Sequence, residues 1–215
     1  MGGATSKQYL MLGKEPIMAH ALRQAADAPQ VTRIVVAAPA EDVDYCQTRV
    51  IAPLKLACPV MLVAGGGHRQ ASVFNALRAA ACDPRQIVAI HDAVRPFAGP
   101  DLFTACIDAA AIHGAAIAAV AACDTLKQVD ARGSVSQTLP RDDVWQAQTP
   151  QAFIYELIMR AHIQADELGF AGTDDASLVE RLGHRAQIVA GSRCNIKITT
   201  PEDMRLAEAL MHIAV

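Results

Sequence analysis

Aromatic residues make up only 4% of the 215 residues, with a single tryptophan, so a core built from stacked rings is excluded. The 52% apolar content falls instead on Ala, Val, Leu and Ile, which suit buried strands covered by helices on both faces. Neither charge is in excess. A formal net charge of -3 with no run of like charges lacks the basic footprint of a nucleic-acid binder and gives no charged tail. The longest apolar stretch, Ala109 to Cys123, is broken by His113 and Gly114 and falls short of the roughly 20 residues a membrane helix needs. No signal-peptide pattern, internal period or low-complexity linker is present. The six cysteines are never two to four residues apart, which removes support for a zinc or CxxC site; they read as free thiols of a reducing cytoplasm.

What remains is a regular alternation, in a length that suits one domain over 1–215. "EPIMAHALRQAADAP", "EDVDYCQTRVI", "HRQASVFNALRAAAC" and "PDLFTACIDAAAIHG" read as helices. "TRIVVAA", "PVMLVAG", "QIVAIHD" and "AAIAAVAACD" between and after them read as strands. Such βαβ units imply an α/β fold with a mainly parallel sheet, and ligands then sit beyond the carboxyl ends of the strands. From Thr125 to Phe153 the pattern becomes apolar–polar alternation around a turn at Ala131-Arg132-Gly133, which predicts an extended β-arm. A two-stranded arm is marginal alone, so it is expected to pack on a second subunit. Beyond it come helices in "IYELIMRAHIQADELG" and "GTDDASLVERLG", strands in "RAQIVAG" and "NIKIT", and a last helix capped by Thr200 with Pro201 in its first turn.

Three strand ends carry residues that a core does not need. Gly65 to Gly67 with Arg69, Asp92 with Arg95, and Lys197 together surround a site for a phosphate and a divalent cation. Each also admits a plain reading: a strand-to-helix turn, a structural ion pair, a lysine facing solvent. His91 fits a satisfied core histidine as well as a ligand.

The order of "KQYLMLGKEPIMAHAL", "GGGHRQASVFNAL", "HDAVRP", "DTLKQVD", "WQAQTPQAF", "TDDASLVERLG" and "NIKITTPEDMRLAEALM" closely resembles the 2-C-methyl-D-erythritol 4-phosphate cytidylyltransferases, from Lys7 to Leu210. The resemblance implies a Rossmann-like, nucleotide-diphospho-sugar transferase-like fold and a cytoplasmic homodimer joined through the arm. It implies CMP transfer from CTP to methylerythritol phosphate with Mg2+ as cofactor. Lys7 and Lys197 match the catalytic lysines at the α-phosphate. Gly66, Gly67, Ser72, Asp92 and Ala93 match the nucleotide site, with Asp92 holding the metal. Arg95, Thr125, Arg141, Thr149 and Thr173 match the sugar-phosphate site.

Three positions depart from the family pattern. Gly67 stands where an aspartate is common, Val94 replaces the second alanine of "DAARP", and Pro140 precedes Arg141 where aspartate is frequent. The family also carries a central strand and a Gly-rich phosphate loop ahead of "PKQY"; Met1-Gly2-Gly3 resembles the end of that loop, so the strand and most of the loop are expected to be lacking. Two other functions fit the same residues: ribitol-5-phosphate cytidylyltransferase, and a silent dimeric homologue that binds nucleotide or sugar phosphate without turnover.

Overall fold

The computed structural model describes residues 6–213; Met1-Gly2-Gly3 lie outside the described residues. A 3-10 turn, Lys7–Tyr9, leads through a hairpin of β1 (Met11–Leu12) and β2 (Glu15–Pro16) into α1 (Ile17–Ala26). β3 (Ile34–Ala38) follows. The segment expected as one helix near Val43 is helical without a break, but its ladder changes type along the way: a 3-10 turn (Ala40–Asp42), α2 (Val43–Tyr45), a π-helical stretch (Cys46–Ile51) and α3 (Ala52–Leu54). Pro53 has no N–H for the carbonyl four residues back, so the regular ladder cannot run through it. Next come β4 (Val60–Ala64), α4 (Arg69–Ala80), β5 (Ile87–Ile90), α5 (Pro100–His113) and β6 (Ala115–Ala121).

β7 (Leu126–Val129) and β8 (Val135–Leu139) form the exposed hairpin. The arm is shorter than the expected 125–153, because β9 (Trp145–Ile154) leaves it to lie between β6 and β5. A chain returning from a hairpin re-enters without a crossover. β9 accordingly runs antiparallel to both neighbours, whereas β10 (Gln187–Ala190) joins β6 in parallel. α6 (Tyr155–Glu167), α7 (Asp175–Arg181) and α8 (Pro201–Met211) complete the chain. Asn195 to Thr199, expected as a strand, pairs with none; its backbone gives a single bond across, Ile198 N–H to Val94 O at 2.9 Å.

Small side chains let the helices close on the sheet. Ala115, Ala116, Ala118 and Ala119 are all fully buried. On one face Phe153, Ile158 and Val179 join α6 and α7 to β6 and β9; on the other, Phe103, Cys106 and Ala110 seat α5. β3 and β4 form a separate parallel pair. Between β3 and β5 runs a cavity of about 380 Å³, lined by both strands and by α1, α4 and α5 and reaching Arg69 and Asp92. The two strands do not pair across it.

Strand position therefore sets local stability. Backbone amides of β6 and β9, bonded on both sides, are expected to exchange with deuterium far more slowly than those of β3 and β5 that face the cavity. Peptide-level exchange in which the cavity-facing amides match the β6 and β9 protection would overturn this.

Candidate active site

The site lies where loops leave the carboxyl ends of β4, β5 and β10. After β4, Gly65 and Gly66 are needed for space: a Cβ on Gly65 would stand 2.8 Å from Ser72 Oγ, and one on Gly66 would overlap Ala71 Cβ. The turn is held by Gly66 N–H donating to Ser72 Oγ at 3.0 Å, while Ser72 Oγ–H reaches His68 O at 3.1 Å. Gly67 differs, since a Cβ there meets nothing within 4 Å. The aspartate common at this position would therefore fit. Gly66→Ala is expected to cost roughly 1–3 kcal/mol through overpacking, and Gly67→Asp less than about 0.5 kcal/mol. Urea unfolding with the reverse ranking would refute that assignment.

After β5, Asp92 takes the centre. Arg69 Nε donates to its Oδ1 at 2.9 Å, Lys197 Nζ lies 2.8 Å from Oδ2, and Arg95 Nε lies 3.7 Å from the same oxygen. Burial would raise the Asp92 pKa, but Arg69 and Lys197 outweigh it and hold the carboxyl at about 2. Arg95 is partly buried, and its Nη1 donates to Asn195 O at 2.6 Å. Burial lowers its pKa below the ordinary arginine value.

One hydrogen-bond chain fixes the loop under Asp92. His91 Nε2 faces Arg95 O at 3.0 Å, which can only accept, so the proton sits on Nε2 and Nδ1 accepts. Thr149 Oγ1–H then donates to Nδ1 at 3.0 Å and accepts from Asp92 N–H at 3.0 Å. Burial drives the His91 pKa down to about 4, against a smaller opposing pull from Arg95 O and Asp92, so the ring is neutral near pH 7. Thr149, read from the sequence as a sugar-phosphate residue, is buried and holds this loop with its hydroxyl. His91 is the core histidine of the two readings.

The third loop is tied down by amides that the sequence reading did not single out. Asn195 is fully buried and donates to Gln148 Oε1 at 3.2 Å and Thr149 O at 2.9 Å. Gln148 in turn donates to Ser192 O at 2.8 Å. These bonds replace a strand ladder and place Lys197 on Asp92. Arg69, noted in the sequence only as following the glycines, belongs to the centre of the cluster.

The other expected residues are placed less centrally. Ala93 is half-buried against the α1–β3 cluster. Lys7 is exposed and makes no ion pair among the described residues. Thr125, Arg141 and Thr173 are also exposed, with Arg141 Nη1 donating to Cys123 O at the root of the arm. None of these four touches Asp92.

Three cations around one carboxylate leave the site net positive, as a polyphosphate requires. Among the described residues no group of three His, Cys, Asp or Glu side chains could cage a metal. The single Asp92 carboxylate nevertheless fits Mg2+, which is commonly held by one or two carboxylates plus substrate phosphates and water.

Comparison with known proteins agrees. Residues 1–213 match the family model for 2-C-methyl-D-erythritol 4-phosphate cytidylyltransferase. The protein of that name from Geotalea uraniireducens is 47% identical over 98% of this chain and 91% of its own length. The one from Pelotomaculum thermopropionicum is 46% identical over 98% and 88%. Among solved structures, 4-diphosphocytidyl-2C-methyl-D-erythritol synthase from Anaerococcus prevotii superposes with a TM-score of 0.85 at 31% identity, covering 96% of this chain and 90% of that one. The Thermus thermophilus cytidylyltransferase gives 0.80 at 32%, covering 96% and 94%. A family match over 1–213 together with relatives 46–47% identical over 98% of the chain decides the question: the chain belongs to the 2-C-methyl-D-erythritol 4-phosphate cytidylyltransferase family.

Proposed function

We infer that this chain transfers CMP from CTP to the phosphate of 2-C-methyl-D-erythritol 4-phosphate and releases pyrophosphate. The observation that carries the reading is the pairing of Lys197 and Arg69 on Asp92 at the strand ends. In the reaction, an oxygen of the sugar phosphate bonds to the α-phosphorus as the bond to the bridging oxygen of the β-phosphate breaks. The departing pyrophosphate carries away the electron pair. No covalent enzyme intermediate is required, so the protein's work is positioning and charge neutralisation.

Lys197, partly exposed and facing the site, turns from Asp92 to the α-phosphate oxygens, where negative charge builds in the transition state. Lys7 approaches the same phosphate from the 3-10 turn. Bound Mg2+ would be held by Asp92 and would neutralise the phosphate oxygens. Gly66, Gly67, Ser72 and Ala93 form the nucleotide side, with main-chain groups reading the base where no side chain stands at Gly67.

Arg95, Thr125, Arg141, Thr149 and Thr173 form the sugar-phosphate side, and the Thr149 hydroxyl also holds the Asp92 loop. Thr125 and Arg141 sit at the root of the hairpin. That hairpin exposes Val129 and Val135, and Trp145 just beyond it is also exposed. Such a surface supports a homodimer in which each arm helps complete the partner's site. The six cysteines are free thiols, which suits a cytoplasmic setting.

The test is pyrophosphate release from CTP and Mg2+ with methylerythritol phosphate or ribitol 5-phosphate as acceptor. Release with the first alone, and a product of the mass of 4-diphosphocytidyl-2-C-methyl-D-erythritol, is expected. Preference for ribitol 5-phosphate, or CTP binding by calorimetry without turnover, would replace this reading by the near relative or by the silent homologue.

A further inference from the structure

His162 of α6 and Asp175, the first residue of α7, are both 1% exposed, and His162 Nε2 lies 3.3 Å from Asp175 Oδ1. Neither ring nitrogen of His162 has a hydrogen-bond partner among the described residues. The ring stacks on Phe74 of α4, with centroids 5.5 Å apart and planes 14° from parallel. A buried imidazole and a buried carboxylate are costly unless something nearby uses their charge or polarity. Among the described residues the one cation within ion-pair distance of that carboxylate, His162 aside, is Arg69, whose Nη1 lies 2.8 Å from Asp175 Oδ2 as an ion pair without hydrogen-bond alignment.

The same Arg69 gives its Nε–H to Asp92. One guanidinium is therefore gripped at two positions, by carboxylates from two different parts of the fold. A guanidinium is a planar fork, and contacts at two positions fix both its place and its rotation, where one carboxylate would leave it free to swing. The end of the grip on the α7 side is itself rigid. Asp174 caps α7 by accepting from Ser177 N–H at 2.9 Å, and Gln151 of β9 donates to Asp174 Oδ2 at 2.8 Å while accepting from Ala176 N–H at 3.1 Å. Asp175 thus stands on a helix start pinned to the central strand.

This matters because Lys197, drawn to a nucleotide phosphate, shares its one positive charge between that phosphate and Asp92, and its hold on the carboxylate weakens. When Lys197 turns away, the side chains left on the Asp92 carboxylate are Arg69, at 2.9 Å, and Arg95, at 3.7 Å. We propose that Asp175, held by the capped start of α7 and packed against His162, is a positioning residue that locks Arg69 onto Asp92, so that Lys197 is free to leave that carboxylate for an incoming nucleotide. The role of Lys197 rests on the nucleotidyl-transfer reading above; the lock itself does not.

The lock is tested first without substrate. Arg69 Nε–H, assigned by its loss in Arg69→Lys, is expected as a slowly exchanging resonance in 1H–15N spectra of the native protein. Asp175→Asn should broaden or abolish it. His162→Phe, which keeps an aromatic ring on Phe74, removes both ring nitrogens and adds one ring atom, should do the same if Asp175→Asn does not fold. A resonance unchanged in a folded variant of either residue overturns the lock.

Turnover is the second readout. Asp175→Asn is expected to lower kcat about tenfold with the KM for CTP within about threefold, as a displaced charge rather than a lost binding contact would. Combined with Arg69→Gln it should add no further loss. Additive losses would show that Asp175 acts other than through Arg69. If the native chain releases no pyrophosphate, the functional reading fails, and the Nε–H signal still decides the lock.

Discussion

Replacing Lys197 by Met is expected to lower kcat for pyrophosphate release by roughly 10²- to 10³-fold, the usual effect of removing one group aimed at charge that develops in a transition state. The side chain is 38% exposed and its anchoring backbone is held by Asn195, so the fold should survive the change. Asp92 keeps Arg69 and stays ionised. CTP binding should therefore weaken by much less than kcat falls, because the lysine meets the nucleotide fully only as the α-phosphate reacts. Single-turnover kinetics separate the two effects. A kcat within threefold of native would remove Lys197 from the chemistry and leave it as a surface counter-ion of Asp92.

Acid should unfold the protein in two stages, and His91 should set the first. Its folded pKa is pushed down to about 4 by burial, from an unfolded value near 6.5. Between these values the unfolded chain binds the extra proton, so stability rises with pH there. The contribution is complete above about pH 6.5 and is lost as pH falls towards 4. It amounts to about 3 kcal/mol by the linkage relation.

Asp92 sets the second stage. Its pKa is depressed from 3.8 to about 2, burial being outweighed by Arg69 and Lys197. Its contribution of about 2 kcal/mol is present above pH 4 and goes as pH falls through 2. His91→Gln keeps a neutral amide in the loop and should flatten the slope of unfolding free energy between pH 6.5 and 4. The other six histidines are present in both proteins, so the difference between native and variant isolates this one. Urea unfolding at pH 7, 5.5 and 4 with equal slopes in the two would show that His91 is not the buried neutral base.

Much of this molecule follows from its sequence alone. The alternation of apolar runs with helical stripes determines an α/β architecture, because strands covered on both faces and helices with one buried face leave different periods in the chain. The capped last helix is equally local: Thr200 accepts from Asp203 N–H, and the Asp203 carboxylate answers the Thr200 and Thr199 N–H groups. The glycines after β4, Asp92 with Arg95, and Lys197 stand out because charge and turn residues at strand ends serve no core. Motif order supplied the family.

Other features depended on contacts distant in sequence. β9 looks like the rest of the arm, since period-two alternation does not say which partner a strand will choose; the buried half from Gln148 to Phe153 belongs to the sheet because β5 and β6 stand there to receive it. "NIKIT" has a strand's pattern and no strand's pairing, because Asn195 spends its bonds on β9. That the Thr149 hydroxyl is shared between His91 and the Asp92 N–H is visible only in the fold. Arg69, Asp175 and His162 lie on three helices, 106 positions apart at the extremes, 69 to 175. No local pattern signals that one guanidinium will join two carboxylates, since only the packing of α4, α6 and α7 brings those charges within reach and removes the water that would otherwise screen them.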